Sequence, residues 1–390
     1  MKKVLFIIFI IYNSLTYAQN TPTIYPGAYS INKYLPLIKN KNVAIVGNHT
    51  SLINHTHLLD TLLSLGIKVK KVFCPEHGFR GHASAGEKIH NGIDKKTGIP
   101  IISLYGRHKK PTITDLADID IVLFDLQDVG VRFYTYISTL QYVMEACADN
   151  GKKLIILDRP NPNGFYIAGP VLDTSLRSFI GMQPVPIVYG MTIGEYAKML
   201  YGEKWLHTHN QLDLQVIKCT NYTHSSFYKL PVPPSPNLRD MQAVYLYPSL
   251  CLLEGTIISV GRGTNKPFRI FGAPFFPDTL PFAFVPKSNE GAKHPKFESE
   301  KCYGFDISNY ADTIKTNKKI ILDWLLKAYI LTPDSLKRKF FRSSFNKLAG
   351  VKYLKKDIIN STNTKEIEKK WQKDLCKFKK IRKKYLLYPE

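Results

Sequence analysis

The chain predicts an α/β fold, a doubly wound and mainly parallel sheet followed by a smaller α+β domain. Three observations predict it. Short apolar runs alternate with stretches of helical spacing between residues 43 and 157, and strands separated by helices pair in parallel with both faces covered. The apolar fraction is 44% over 390 residues, enough to bury a large core. A dense proline stretch, Leu230-Pro-Val-Pro-Pro-Ser-Pro236, then fixes an extended segment, and shorter, less regular signals follow it.

The elements read in order as follows. Lys2 and Lys3 precede an apolar run from Val4 to Tyr12, and Thr16-Tyr17-Ala18 ends before Gln19. This is the pattern of a cleaved export signal; the run is too short to span a bilayer, and no Cys follows it as a lipid anchor would require. The expectation is an exported, periplasmic protein with no stable membrane insertion. Residues 1–18 form the signal, 19–230 the sheet domain and 231–390 the smaller domain. Val43–Val46 is a buried strand. Leu58, Leu59, Leu62 and Leu65 share one helix face and Gly66 stops it. Val69–Phe73, Ile99–Leu104, Asp120–Phe124 and Leu154–Leu157 are the next strands. Between the last two, Ile137, Leu140, Val143, Met144 and Cys147 mark a helix from Tyr136 to Asn150, ended by Gly151. The arrangement is Rossmann-like, yet Gly47-Asn48-His49-Thr50 stands where a GxGxxG would lie, so no dinucleotide cofactor is expected.

Lys and Arg number 54 against 31 Asp and Glu, a formal charge of +23, which suits an anionic partner. Part of the excess lies between Lys365 and Tyr385, where Ile367, Trp371, Leu375, Phe378, Ile381 and Tyr385 recur at helical spacing. A docked helix with a solvated cationic face is expected; nucleic acid is the alternative, and no base-reading motif supports it. The six Cys are far apart and form no CxxC, so buried free thiols are expected, with room for one unassigned disulfide. Cys74 and its fellows make no zinc site. His49, His77, His82 and His90 show no HExxH spacing, and no catalytic metal is expected.

In an open parallel sheet, ligands bind beyond the carboxyl ends of the strands. The five segments at those ends are all polar: Asn48 to Ser51, Pro75 to Gly81, Tyr105 to Arg107, Asp125 to Arg132, and Asp158 to Gly164. Glu76 follows a strand and Pro75, a position where a half-buried carboxylic acid could keep a proton for donation. His77 could share that work; a salt bridge from Glu76 to Arg80 or Arg132 is the structural alternative. Asp125 and Asp128 supply further carboxylates, and two carboxylates about a bond suit glycoside hydrolysis; Asp128 could equally cap a turn. Beyond the prolines, Glu254 to Thr264 holds three glycines, three hydroxyl residues and Arg262, which either meets ligand or pairs with Glu254.

The chain resembles the NamZ-type exo-β-N-acetylmuramidases. The resemblance rests on Pro75-Glu-His-Gly-Phe-Arg-Gly81 with Gly86-Glu87, and on Phe124-Asp-Leu-Gln-Asp-Val-Gly-Val-Arg-Phe-Tyr-Thr-Tyr136. It continues through Leu157-Asp-Arg-Pro-Asn-Pro-Asn-Gly164, Gly190-Met-Thr-Ile-Gly-Glu195, Pro233-Pro-Ser-Pro-Asn237, Glu254 to Thr264, Gly272-Ala-Pro274 and Tyr385-Leu-Leu-Tyr388. It implies an active cleft between two domains and release of terminal N-acetylmuramic acid from the non-reducing end of peptidoglycan fragments, with Glu76 in the position of the catalytic glutamate. Many relatives carry a His before Gly-Met-Thr; here Tyr189 stands there. Asn48 in the loop after the first strand and, along these strings, Arg80, Glu87, Arg132, Tyr134, Arg159, Asn161, Asn163, Asn237, Glu254 and Arg262 are the candidate substrate-binding residues. Arginines would grip the lactyl carboxylate of muramic acid through paired hydrogen bonds. A wall-glycan-binding protein without catalysis, and a metal-dependent hydrolase of wall fragments, are the competing functions.

Overall fold

A computed structural model of the chain describes residues 22–76, 78, 79 and 91–390. Its first part is a seven-stranded sheet: β1 (Asn42–Gly47), β2 (Lys68–Cys74), β3 (Gly92–Ile93), β4 (Pro100–Ser103), β5 (Ile121–Asp125), β6 (Lys153–Leu157) and β7 (Leu214–Ile217). The spatial order is β3-β4-β2-β1-β5-β6-β7. Every pairing is parallel except β3 with β4. Without the short β3 this is the doubly wound order, and the strand order reverses between β1 and β5, where such sheets open a ligand crevice.

The period of two along each strand divides the core. Val43 and Ile45 of β1 point to one face, where they join Leu58 and Leu62. Those leucines lie on α1 (Leu58–Ser64), whose first turn is capped by the His57 ring accepting from the Leu59 N–H. Ala44 and Val46 point to the other face, covered by α2 (Tyr136–Asp149) and α3 (Ile193–Gly202). Thr192 and Glu195 close a capping box at the start of α3.

The smaller part holds a three-stranded antiparallel sheet, with Cys302–Asp306 between Ile270–Ala273 and Phe282–Phe284, together with several helices. α4 (Met241–Leu250) leads into it, buried on all sides from Ala243 onward. The basic tail forms α5 (Thr364–Lys383), which buries Ile367, Trp371, Leu375 and Phe378. One apolar cluster runs from Ala44 and Phe124 through Leu246 and Leu250 to Phe345 and Phe378, so the two parts share a core. All six cysteines are free; five are buried and Cys376 is exposed. Among the described residues no helix is long and apolar enough to cross a membrane.

Candidate active site at the switch point

The strand ends place a cavity at the reversal of strand order, and both parts of the chain line it. Glu76 enters it from the end of β2, half-buried behind Pro75. The Tyr105 hydroxyl, from the end of β4, donates to Glu76 Oε1 at 3.1 Å. Burial, and then the Glu76 charge, push the Tyr105 phenol up, so it remains a donor. Tyr136, at the first position of α2, lines the cavity beside Glu76. Its hydroxyl accepts from Asn48 Nδ2 at 2.7 Å across the β1–β5 reversal. Asn48 Oδ1 is itself taken by the Thr50 N–H and hydroxyl at 2.9 and 2.6 Å, which fixes the amide. The ring of Tyr134 packs edge-on against Tyr136 at 4.7 Å, and its hydroxyl donates to the Pro234 carbonyl at 2.8 Å. The proline segment is thereby tied over the site; His49 Nε2 holds the neighbouring Pro233 carbonyl at 2.8 Å.

The smaller part contributes the opposite wall. Asn237 and Arg262 line the same cavity as Glu76. Asn237 is anchored by its amide donating to the Gly291 carbonyl at 2.6 Å. Arg262 donates through Nε and Nη2 to the two oxygens of Glu254, both at 2.7 Å, and its guanidinium lies 4.9 Å from the centre of the Phe268 ring. Burial works against the Glu254 carboxylate, but Arg262, Lys296 and Arg342 outweigh it and hold the group below its usual range. Lys296 is sunk behind this pair, donating to the Thr256, Ile258 and Glu254 carbonyls at 2.7, 2.9 and 3.3 Å; burial lowers it to about 8. Three cationic side chains therefore surround one carboxylate on this side of the cavity, which favours an anionic ligand.

Other candidate residues stand behind the cavity and do not line it. Asp125 and Arg159 form a fully buried bidentate pair, with Nε–Oδ1 2.6 Å and Nη2–Oδ2 3.0 Å. Asp128 is buried; its Oδ2 accepts from the Gly130 N–H at 2.6 Å and from the Tyr189 hydroxyl, while Oδ1 has no hydrogen-bond partner. Burial raises this carboxyl to about 7. Tyr189 thus spends its hydroxyl on Asp128. Arg132 is completely enclosed and donates to four carbonyls: Pro170 and Val185 at 2.8 Å, Ala349 at 2.9 Å and Leu348 at 3.1 Å. The last two belong to the smaller part, and Gly350 beside them has φ +78° and no room for a Cβ, which would lie 2.3 Å from Arg132 Nη2. Asn161 and Asn163 brace the loop after β6, donating to the Met191 carbonyl at 2.8 Å and the Val129 carbonyl at 2.9 Å. His77, Arg80 and Glu87 lie outside the described residues. Among the described residues no three His, Cys, Asp or Glu side chains converge as a metal ion would require.

Sequence reading passed over seven residues that line the cavity: Phe133, Thr135, Tyr136, Ser235, Leu238, Tyr247 and Phe268. It also passed over Tyr105, the hydrogen-bond partner of Glu76. Tyr105 and Tyr136 lie in or next to segments at strand ends and could have been found there. Tyr247 sits within the all-round apolar α4 and gives no such signal.

The architecture is that of a two-part α/β protein whose carboxylate sits at a switch point beneath a cationic wall. The family model for the N-terminal part of exo-β-N-acetylmuramidase NamZ matches residues 43–242, and that for its C-terminal part matches 245–388. The chain belongs to this family. It is 38% identical over 379 residues to the peptidoglycan β-N-acetylmuramidase NamZ of Bacillus subtilis strain 168, covering 91% of this chain and 89% of that protein. A crystal structure of a DUF1343 family protein from Bacteroides fragilis is 45% identical, with a TM-score of 0.87 over 95% of this chain and all of that one. A second DUF1343 structure from the same organism is 27% identical, with a TM-score of 0.79 over 94% of this chain and all of that one.

Proposed function

We propose that this chain is an exo-acting glycoside hydrolase that releases terminal N-acetylmuramic acid from the non-reducing end of peptidoglycan fragments, with Glu76 as general acid. The observation that carries the proposal is the shared cavity: Glu76 from the sheet and Arg262 from the smaller part meet over one space. Family membership supplies the reaction class. Glu76, held by Tyr105, delivers its proton to the glycosidic oxygen as the bond to the leaving sugar breaks. Arg262 spends Nε and Nη2 on Glu254, which aims the guanidinium and leaves Nη1 for the lactyl carboxylate that distinguishes muramic acid from glucosamine. Export to the periplasm fits the first 18 residues and the location of the substrate; amino-terminal sequencing of the secreted form, expected to begin at Gln19, tests it.

A chromogenic N-acetylmuramide tests the catalytic assignment. Glu76→Gln keeps the fold and lowers turnover by about 10²–10⁴-fold, the usual worth of general acid–base help. A folded variant with near-normal turnover refutes Glu76 as the acid. The matched N-acetylglucosaminide is turned over more slowly than the muramide by the natural protein; equal rates remove the carboxylate clamp.

A further inference from the structure

A second cavity, of about 530 Å³, shares no lining residue with the first. Three of its walls come from distant stretches of chain: Phe165 and Tyr166 after β6, Lys318, and the last turns of α5 with Lys379, Arg382 and Lys383. Lys379 stands three residues before Arg382 and four before Lys383, so the three cations project from one helix face. Glu390 provides the carboxylate.

The charges do not balance. Arg382 is committed, with Nε donating to the Gly190 carbonyl at 2.8 Å and Nη1 to Glu390 Oε1 at 2.5 Å. Among the described residues Lys318, Lys379 and Lys383 have no ion-pair partner. His224 also lies in the wall: its Nε2 faces the buried Glu195 carboxylate at 3.0 Å, while its Nδ1 is buried with no hydrogen-bond partner. The Tyr166 hydroxyl, also in the wall, is likewise buried and unpartnered. Polar atoms enclosed in a protein are nearly always satisfied, by protein or by something bound. Like charges lining a concave surface repel one another and concentrate anions. Glu390 already illustrates the chemistry, since its carboxylate is seated on Arg382 while most of its side chain stays exposed. Phe165, stacked edge-on with the exposed Phe227, gives the cavity an apolar flank.

We propose that this cavity is a second binding site, separate from the Glu76 site, that takes the oxyanion of a small molecule or chain end, a carboxylate or a phosphate, by displacing Glu390 from Arg382. Lys379 and Lys383 then close on the ligand from the helix and Lys318 from the opposite side.

Calorimetric titration of the full chain with inorganic phosphate and with glutarate tests this. Saturable binding of phosphate alone identifies a phosphate ligand, and of glutarate alone a carboxylate ligand. Binding weakens by about tenfold or more in Lys379→Ser/Lys383→Ser, as expected when charge-assisted hydrogen bonds are lost. It tightens in Glu390→Gln, which removes the internal competitor. Both lysines are exposed, so the double variant folds, and hydrolysis at the Glu76 site is unchanged in it. Three results overturn the proposal: no binding of either probe to the natural protein, equal binding by the double variant, or no gain in Glu390→Gln. Binding abolished by Arg262→Ala but kept by the lysine variant overturns it as well, because the anion then sits in the first cavity.

Discussion

Asp128 carries a carboxyl that its surroundings keep protonated well above the usual aspartate range. Both of its donors converge on Oδ2, and Oδ1 has none. Its pKa stands at about 7 because of burial, above that of an unfolded aspartate near 4. The bound proton therefore stabilises the fold fully below about pH 4, and that contribution is lost as pH rises through about 7. Asp158, raised by burial to about 6, acts in the same direction. In Asp128→Asn an amide oxygen can accept both hydrogen bonds without a charge. Between pH 5 and pH 8, denaturant unfolding of the natural protein loses on the order of 2–4 kcal/mol from Asp128; the variant loses distinctly less, and an equal fall refutes the assignment. Arg262→Ala gives a different signature. Product affinity drops by roughly 10- to 150-fold, the equivalent of about 1.5–3 kcal/mol, and the melting temperature also falls because Glu254 loses its bidentate partner; early melting with normal product affinity makes Arg262 purely structural. The rule that ligands gather at strand ends put Glu76 beside a crevice, and Glu76 does line the cavity, but the same rule put Asp125 and Arg159 there too. Those two turn toward each other, not toward the cavity, because sequence position gives adjacency to a crevice and not the direction a side chain takes.

At the scale of elements, periodicity was the informative signal and its absence the blind spot. The spacing of Ile367, Trp371, Leu375 and Phe378 specified a docked helix, and all four are buried in α5. Trp371→Ala should therefore cost about 3–5 kcal/mol, read as a lower denaturation midpoint with an unchanged slope; a loss under about 1 kcal/mol would mean the helix is not docked through this face. Strands β1, β2, β4, β5 and β6 were legible as apolar runs. β7 was not: its four residues, Leu214-Gln-Val-Ile217, lie at the sheet edge and only the last is buried. β3 is two exposed residues, too short for any alternation to register. α4 is buried on every side and so lacks the polar stripe by which a helix is recognised. The prolines at 230–236 signalled an extended segment. That His49 and Tyr134 hold its carbonyls is a long-range fact with no local trace.

At the scale of the whole molecule, the two parts are fastened where the sequence suggested ligand binding. Arg132 reaches from the loop after β5 to the Leu348 and Ala349 carbonyls, and burial lowers its pKa to about 9. Arg132→Lys keeps the charge but not the planar fork that serves four acceptors. It should destabilise the protein by several kcal/mol, about 3–5 by analogy with broken buried charge contacts, while the surviving folded fraction keeps its affinity for muramic acid. Lost affinity in fully folded protein would put Arg132 at the substrate. The final residues make a comparable fastening. The Tyr388 hydroxyl donates to Asp158 at 2.5 Å, the Leu387 N–H to Glu195 at 2.8 Å, and the His224 N–H to the Pro389 carbonyl at 2.8 Å. Asp158 and Glu195 are fully enclosed in the sheet domain, and each takes one of its hydrogen bonds from a residue 230 or 192 positions further along the chain. Cleavage of the chain before Leu387 should therefore leave two enclosed sheet-domain carboxylates one donor short each and weaken that domain, not the tail alone.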